Sequence, residues 1–493
     1  MKRPQTIHID YRSVSNVTGN LLIVEAVMLL LPLIVEIIYG EREWPVFLCS
    51  SLLSMILGVS LIYLGGGWRY RISMNRREGY LLTTGIWIVF SLVGMTPFLF
   101  MSQPLSLTDA FFETISGFTT TGASVIADVE SLSHGILFWR SLIQWVGGLG
   151  IVIFMLVVLP ALNHSGSMPL FNAEVTGITH EKLHPRIGQT AKSLVNVYIL
   201  LTVVLIILLW CGPMNLFDAV CQAMTTMSTG GFSTRNASIA AWHSDYIAGV
   251  VTVFMLIGGV NFMLLYGLLR GNWRRLLHND VFRGYCLIVA VAWGAIVAAR
   301  YIQHSATGIE SNLLESIFQV GTTITTTGFS YGNYEAWGGI AFNVMMLLML
   351  MGACAGSTTG AIKIDRFVAL WKNMCRSIEL VLYPRHTITI HVNGRLFEDA
   401  MLSRLLSFFT LYILLFIIGT VVICGFGYSF ADSMFASASC IGNNGLGYGA
   451  TGAGGGFGTL PGAVKWVCCM LMLVGRLEIF TVLAIFSRKF WRQ

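Results

Sequence analysis

Apolar residues along this chain fall into ten long runs separated by short polar stretches. Each run is close to the roughly 20 residues that an α-helix needs to cross the ~30 Å hydrocarbon core of a bilayer. Their approximate bounds are 20–38, 46–66, 80–101, 135–160, 189–212, 246–269, 283–303, 338–362, 401–425 and 462–487. The pattern predicts ten membrane-spanning helices, in which the first two stand alone and the other eight form four pairs.

Between the helices of each later pair lies one copy of a repeated segment. Every copy begins with a carboxylate, carries Phe or Cys three residues later and reaches a glycine thirteen residues after the carboxylate. The copies are DAFFETISGFTTTGAS (109–124), DAVCQAMTTMSTGGFS (218–233), ESIFQVGTTITTTGFS (315–330) and DSMFASASCIGNNGLG (432–447). Four unrelated surface turns are the alternative interpretation. Turn chemistry does not impose a shared spacing between acid and glycine, so we interpret the segments as an internal repeat.

Each copy is predicted to be a short helix followed by an extended segment rich in oxygen atoms. A carboxylate at the helix N-terminus complements the positive end of the helix dipole, so the negative end points at the Thr-Thr-Gly or Asn-Asn-Gly that follows. Glycine lets backbone carbonyls turn toward a common axis without a Cβ in the way. Four such loops around one axis would form rings of carbonyl oxygens that replace the water shell of a cation.

The predicted fold is therefore an all-α polytopic membrane protein, with an N-terminal two-helix hairpin and four helix–pore loop–helix repeats around one central pore. Non-helical backbone is tolerated at membrane depth only where it is buried in protein or lines a polar cavity, so the four loops are expected to converge. The expected divisions of the chain are 1–79 for the hairpin and 80–188, 189–282, 283–400 and 401–493 for the repeats.

Composition and charge agree with this class. Hydrophobic residues make up 55% of the 493 and charged residues only 11%, against roughly 25% charged in an ordinary soluble domain. The N-terminal stretch has no small-residue cleavage site, so a removable signal peptide is not expected.

Of the 30 basic residues, 24 lie in 1–19, 67–79, 161–192, 270–283, 363–404 and 488–493. The positive-inside rule then places both termini in the cytoplasm, and the net charge of +6 gives no reason to expect a nucleic-acid partner.

The eighth apolar run is interrupted by GACAGSTTG at 352–360. Glycines at this density unwind a helix, and a discontinuous helix near the bilayer midplane is typical of a transport site or gate; a flexible kink between packed helices is the alternative. We call the predicted rings of carbonyl oxygens the filter. We predict that the segment 352–360 lies beneath the filter, blocks the path to the cytoplasm and accepts hydrogen bonds from Lys363 and Arg476. The candidate gating residues are Gly352, Gly356, Ser357, Thr358, Thr359, Gly360, Lys363 and Arg476.

Arg476 is a charged residue deep in the last apolar run. It lies about fifteen residues into that run, ~22 Å from its outer end. An unpaired charge at this depth is unfavourable and usually faces a pore or a partner. We interpret Arg476 as an electrostatic barrier below the filter, and a structural ion pair with another helix is the alternative.

The remaining chemistry-bearing residues give no sign of catalysis. The ten cysteines lie mostly inside or beside the apolar runs without a CxxC pair, and free cysteine behaves as a small buried hydrophobe. The sequence has no HExxH motif. An integral-membrane enzyme would need a catalytic pair within the bilayer, and we find none, so the chain is not expected to be an enzyme.

The loops FTTTGAS, STGGFST, TTTGFS and GNNGLGYG, together with GACAGSTTGAIK and Arg476, resemble the Trk/Ktr/HKT superfamily of cation transporters, closest to the bacterial TrkH/TrkG type. The likeness covers nearly the whole chain, including the N-terminal hairpin. It implies that K⁺ is the transported ion and is coordinated by Thr120, Thr121, Gly122, Thr229, Gly230, Gly231, Thr326, Thr327, Gly328, Asn443, Asn444 and Gly445. It also implies a homodimer in the lipid of the bacterial inner membrane, with a cytoplasmic ring of nucleotide-binding, RCK-type regulatory subunits.

One departure from the superfamily is visible, because the loop reads GSTTGAIK where relatives more often have GSTGGGIK. The loop therefore has two glycines fewer than in those relatives, and this difference affects how freely its backbone can move. The expected function is K⁺ uptake through a selective, gated pore that is passive or weakly coupled. A K⁺ symporter driven by H⁺ or Na⁺ is the alternative, for which Glu36, Glu113 and Glu478 are the candidate proton-relay carboxylates.

Overall fold

The computed structural model describes residues 9–70, 74–163, 187–303, 308–385, 388–452, 456–477 and 479–491. Within these ranges seven helices are long and apolar enough to cross a membrane, or nine if each of two sharply bent helix pairs counts as one span. A further long helix, His134–Asn163, occupies the fourth predicted run. A two-stranded antiparallel ribbon, β1 (Ile390–Val392) and β2 (Arg395–Phe397), is the strand structure in the described ranges. The polytopic helical architecture predicted from the apolar runs is confirmed.

The N-terminal hairpin consists of α1 (Tyr11–Tyr39) and α2 (Trp44–Leu64). Small residues let the two helices approach closely, since a Cβ on Gly19 or on Gly58 would lie closer than 3.0 Å to the carbonyl oxygen of the other glycine. Serine hydroxyls of α2 donate to backbone carbonyls of α1, Ser51 Oγ to Ala26 at 2.7 Å and Ser54 Oγ to Leu22 at 2.8 Å. Small and hydroxyl residues are the usual means of packing helices in lipid.

Each of the four repeats has an incoming helix, a short pore helix and an outgoing helix. The helices of the first two repeats are α3 (Arg76–Gly94), α4 (Thr96–Phe100), α5 (Leu107–Phe118), α6 (His134–Asn163), α7 (Ile187–Trp210), α8 (Leu216–Met227), α9 (Asp245–Gly258), α10 (Phe262–Leu269) and α11 (Trp273–Leu277). Those of the last two are α12 (Asp280–Ile302), α13 (Ile309–Ile324), α14 (Gly338–Met351), α15 (Ile364–Leu382), α16 (Asp399–Gly425), α17 (Phe430–Gly442), α18 (Gly462–Leu477), α19 (Ile479–Phe486) and α20 (Arg488–Trp491). The pore helices are α5, α8, α13 and α17.

Three of the four pore helices carry the predicted carboxylate in their first turn. A side-chain oxygen at the N-cap accepts a hydrogen bond from the backbone N–H of that carboxylate residue, which satisfies one free donor of the first turn. The pairs are Ser106 with Asp109, Asn215 with Asp218 and Ser429 with Asp432. The prediction is wrong for the third repeat, because α13 starts at Ile309 and Glu315 lies inside it. Glu315 instead accepts a 2.6 Å hydrogen bond from the buried Arg300 of α12.

Three of the predicted spans are broken, and only the break in the eighth was expected from the sequence. The sixth breaks after Gly258 and bends by 106°, and the tenth bends by 115° after Leu477. The eighth ends at Met351, and residues 352–363 form a loop before α15. At the break in the sixth span Asn261 caps the next helix, its side chain accepting from the N–H of Met263 at 2.8 Å. We call residues 352–363 the intramembrane loop.

Candidate ion-conducting site

The four loops that follow the pore helices share one unusual backbone conformation. The repeat glycine is left-handed in every copy, and so is the residue two positions before it. The φ values are +54° and +82° for Thr120 and Gly122, +54° and +81° for Thr229 and Gly231, +52° and +84° for Thr326 and Gly328, and +53° and +78° for Asn443 and Gly445. The residue between the two has a negative φ in every copy, and such alternation in the sign of φ aligns successive peptide groups, so that N–H bonds point to one side and carbonyls to the other.

The end of each pore helix holds its loop by the same hydrogen bond. The residue before the repeat glycine donates its backbone N–H to a carbonyl five positions earlier in the pore helix. The pairs are Thr121 to Ser116 at 2.8 Å, Gly230 to Thr225 at 2.8 Å, Thr327 to Thr322 at 2.9 Å and Asn444 to Ser439 at 2.8 Å. The four loops are therefore equivalent in backbone structure although their side chains differ.

The loops meet in cyclic order around one axis. A Cβ built on each repeat glycine would lie closer than 3.0 Å to the carbonyl oxygen of the residue before the glycine in the next loop. The contacts run from Gly122 to Gly230, Gly231 to Thr327, Gly328 to Asn444 and Gly445 to Thr121. Because the last contact returns to the first loop, the ring is closed, as predicted from the repeat. A cavity of about 240 Å³ is lined by all four of these glycines.

Amide side chains form hydrogen bonds that fix the positions of the filter loops. Asn443 Nδ2 donates to Thr121 Oγ1 and to the Met472 carbonyl, both at 2.9 Å. Asn444 Nδ2 donates to the carbonyl of Thr323 at 2.7 Å. Gln144 of α6 donates to the carbonyl of Gly230 at 2.6 Å and accepts from the N–H of Phe232 at 3.0 Å. Sequence reasoning missed Gln144, whose signal was a single amide in an apolar run just before the glycines of QWVGGLG.

A buried ion pair joins the first two loops. Glu113 of the first pore helix accepts from Arg140 Nε at 2.9 Å and from the N–H of Val125 at 2.9 Å. Arg140 also donates to the carbonyl of Ser233 at 3.1 Å, and its guanidinium lies 4.2 Å from the centre of the Phe232 ring. Both charged side chains are almost fully buried. Glu113 is thereby hydrogen-bonded within the protein, which argues against its role as a free proton relay.

The other two candidate carboxylates for coupling are Glu36 and Glu478. Glu36 accepts hydrogen bonds from the backbone N–H groups of Glu43 at 3.2 Å and Gly135 at 3.1 Å. Glu478 lies outside the described residues. Glu36 therefore ties the hairpin to the first residues of α6, which is a structural role.

The intramembrane loop packs directly against three of the four filter loops. The N–H of Gly360 donates to Thr326 Oγ1 at 2.9 Å, and the hydroxyl of Thr358 donates to the carbonyl of Met227 at 3.2 Å. A Cβ on Gly360 would lie closer than 3.0 Å to Asn443 Cβ. Within the loop, Ser357 Oγ and Thr359 Oγ1 are 2.7 Å apart. The candidate gating segment is thus in contact with the candidate filter.

Arg476 reaches the intramembrane loop, as predicted. Its guanidinium donates from Nη1 to the carbonyl of Thr358 at 2.7 Å and from Nη2 to the carbonyl of Gly147 at 3.1 Å. Among the residues that the structure describes, no carboxylate lies within ion-pair distance of Arg476. Lys363 is left-handed, with φ +78°, and its backbone N–H donates to the carbonyl of Met351 at 2.8 Å. A hydrogen bond from the Lys363 side chain to the loop stays a prediction.

Residues at the break in the sixth span form hydrogen bonds with the intramembrane loop. Asn261 Nδ2 donates to the carbonyl of Ala355 at 2.7 Å, and the N–H of Phe262 donates to the carbonyl of Gly356 at 3.0 Å. The carbonyl of Gly259, freed by the break, accepts from the N–H of Cys354 at 3.0 Å. Sequence reasoning missed this contact, and its signal was the sequence GGVN within an apolar run.

Four equivalent loops closed into one ring, with an irregular helix break packed against it, define a pore-forming transport protein of the membrane. Comparison with known proteins agrees. Residues 45–279 and 295–493 match the family model TrkH, described as a cation transport protein. The chain is 34% identical over 490 residues to the Trk system potassium uptake protein TrkH of Salmonella typhimurium, covering 98% of this chain and 100% of the relative.

Two further comparisons support the same assignment. The chain is 33% identical over 489 residues to the Trk system potassium uptake protein TrkG of Escherichia coli K12, covering 98% of this chain and 99% of TrkG. The fold is similar to the crystal structure of the potassium transporter TrkH from Vibrio parahaemolyticus, with a TM-score of 0.88 and 30% identity, covering 98% of this chain and 100% of that chain. The chain belongs to the TrkH family of cation transport proteins, and it is a transporter rather than an enzyme.

Proposed function

We propose that this protein takes up K⁺ through the central ring of four loops. The observation that carries the proposal is the closed ring of left-handed glycines, each packed against a carbonyl of the next loop. The ion-coordinating groups would be the carbonyls and hydroxyls of the Thr-Thr-Gly, Thr-Gly-Gly and Asn-Asn-Gly segments that end at Gly122, Gly231, Gly328 and Gly445. Backbone carbonyls in rings can replace the water shell of an alkali cation. The relatives named as potassium uptake proteins support K⁺ as that cation.

The intramembrane loop is the gate in this proposal. The loop forms hydrogen bonds with Thr326 and Met227 beside the filter, and Arg476 donates a hydrogen bond to the carbonyl of Thr358 in the loop. A cation leaving the filter would meet both the loop and the guanidinium. Flux would then require that the loop move away from its contacts with the filter and with Arg476.

The proposed assembly is a homodimer in the bacterial inner membrane, with both termini in the cytoplasm and a nucleotide-binding, RCK-type ring on the cytoplasmic face. The distribution of Lys and Arg supports this orientation. Helix α15 follows the gate directly and exposes Trp371, Ile378 and Val381. An exposed apolar face on a helix connected to the gate supports control of the gate by a protein partner. In this proposal the chain divides into the hairpin 1–79 and four repeats bounded at 188, 282 and 400.

A flux assay with the purified protein in proteoliposomes tests the function. Radioactive Rb⁺ serves as the K⁺ analogue, and uptake is measured with and without imposed H⁺ and Na⁺ gradients. Uptake driven by the Rb⁺ gradient alone, competed by K⁺ and not by Na⁺, is the expected result. Strict dependence on a second ion would replace the passive pore by the alternative, a K⁺ symporter, and an absence of Rb⁺ flux in either condition would overturn both.

A further inference from the structure

Glu25 is a buried carboxyl that the pore mechanism does not use. It lies near the middle of the 29-residue helix α1, ~20 Å from either end at 1.5 Å per residue. Its side chain has no exposed surface. Neither carboxyl oxygen has a hydrogen-bond partner among the described residues, in contrast with Glu36 on the same helix.

The Glu25 carboxyl lies where the hairpin meets the first pore helix. A Cβ built on Gly94 of α3 would lie 3.0 Å from Glu25 Oε1, 3.0 Å from Phe118 Cε2 and 3.2 Å from Thr114 Cγ2. Phe118 is the last residue of the pore helix and is followed directly by the first filter loop. Ser91, one turn before Gly94, also has a buried hydroxyl without a partner in the described part of the chain. Gly94 therefore lies between the Glu25 carboxyl and the ring of Phe118, the residue that precedes the first filter loop.

Among the residues that the structure describes, none forms an ion pair or a hydrogen bond with the Glu25 carboxyl. Helix α2 has Cys49 and Tyr63 as its titratable residues, and α3 has its charged residues in the first turn. Nearby charged groups of the described residues are engaged with other partners: Glu78 with Asp10, Glu36 with Gly135, His134 with Glu41, Asp109 with Lys465 and Glu113 with Arg140. A carboxylate at this site would lack both a counter-ion and hydrogen-bond donors, which strongly disfavours its charged form.

We propose that Glu25 is a proton-binding site that controls the pore. At neutral pH it is a neutral carboxylic acid packed against Gly94 and the first pore helix. At alkaline pH the carboxyl O–H bond breaks, its electron pair stays on the carboxylate and the proton leaves to water. The charged form then requires polar partners, and to gain them the contact between α1, α3 and Phe118 has to open. The displacement of the pore helix distorts the first filter loop and lowers K⁺ flux. The flux part rests on the proposed function, whereas the protonation part does not.

Infrared spectroscopy tests protonation without transport. At neutral pH the parent protein should show the C=O absorption of a protonated carboxyl that is absent from Glu25→Gln and disappears on alkaline titration. Glu36→Gln is the matched control, because it removes a carboxyl of the same helix that has backbone donors, and it should leave that band in place. A parent spectrum without a protonated-carboxyl band that depends on Glu25 would overturn the proposal.

Rb⁺ uptake into proteoliposomes at rising pH tests control of the pore. Parent flux should fall by about tenfold per pH unit once most of Glu25 is ionised, as for any single-proton site, while Glu25→Gln flux should not fall. The Glu36→Gln control should follow the parent. Identical pH profiles for parent and Glu25→Gln would refute control by Glu25. If Glu25→Gln does not fold, Glu25→Leu is also neutral and should show the same flat profile. A parent without Rb⁺ uptake at neutral pH would contradict the proposed function, and the infrared result would still decide whether Glu25 binds a proton.

Discussion

Gly445 of the fourth loop packs against the carbonyl oxygen of Thr121 in the first, and this contact closes the ring. The two residues are far apart in sequence, yet their relationship repeats the one between Gly122 and Gly230. At both glycines a side chain would have to displace a neighbouring backbone carbonyl. The spacing of the four loops is therefore set by the absence of a Cβ at four positions.

A side chain at a ring glycine should disturb ion selection. Gly122→Ser adds a Cβ at φ +82°, where it would meet the carbonyl of Gly230. We expect the K⁺ over Na⁺ permeability ratio to fall by about tenfold or more, which corresponds to ~1.4 kcal/mol between the two barriers. Bi-ionic flux in proteoliposomes measures this ratio. Gly249→Ser is the control, since Gly249 has open space around it, and an unchanged ratio in folded Gly122→Ser would remove Gly122 from the filter.

Removal of the Arg476 charge should raise flux. Like charges ~4–6 Å apart interact by about 3–4 kcal/mol at an effective dielectric near 20, so Arg476→Ala should increase K⁺ flux by at most roughly 100- to 1,000-fold. The selectivity ratio should stay the same, because the guanidinium binds Thr358 and Gly147 rather than a filter carbonyl. Arg476→Lys keeps the charge and should keep flux low. Reduced flux in a folded Arg476→Ala protein would show that the guanidinium acts as structural support.

A shortened intramembrane loop should leave the pore open. Gly352 and Gly360 are adjacent in space, since a Cβ on Gly352 would lie 2.7 Å from the carbonyl oxygen of Gly360. Deletion of 354–359 therefore removes the obstruction while the ends of the loop stay close. We expect Rb⁺ flux without any cytoplasmic partner. A deletion protein that is folded and dimeric but as closed as the parent would place the obstruction elsewhere.

Ala361 is the only alanine with a positive φ among the described residues, at +58°. A left-handed conformation disfavours an L-residue by roughly 1–2 kcal/mol, so Ala361→Gly should relieve strain and widen the motion of the loop. We expect higher flux with little change in thermal stability, because glycine also loses more backbone entropy on folding. Ala353→Gly in the same loop lacks the strain and should change flux less. Equal effects of the two variants would argue against the strain at Ala361.

The ion pair between Glu113 and Arg140 should matter for stability. Glu113→Ala leaves a buried guanidinium without its counter-ion, which typically costs about 3–5 kcal/mol. Glu113→Gln should cost less, because Gln222 and Gln319 stand at the equivalent positions of the second and third repeats. Thermal unfolding in detergent measures the difference. Glu379→Ala removes an exposed carboxylate and should lie within about 0.5 kcal/mol of the parent; a loss for Glu113→Ala no larger than this would contradict the prediction.

The sequence by itself determined the class of the protein and the position of its loops. Apolar runs long enough to cross a bilayer have few other structures available, because lipid offers no hydrogen bonds to an exposed backbone. The thirteen-residue spacing from acid to glycine located all four left-handed glycines, and the density of glycine at 352–360 located the helix break. These features depend on residues close together in the chain, which is why a pattern reveals them.

Only the tertiary structure decided which groups meet. The amide of Asn443 binds Thr121 across 322 positions, and Arg476 binds the carbonyl of Gly147 across 329. Local sequence patterns also did not predict the bend after Gly258 or the length of the pore helix that contains Glu315. Helix periodicity and capping act over one or two turns, whereas the partners of a buried polar group depend on how distant segments pack together. For that reason the loop positions followed from the sequence, and the order in which they close the ring came from the fold.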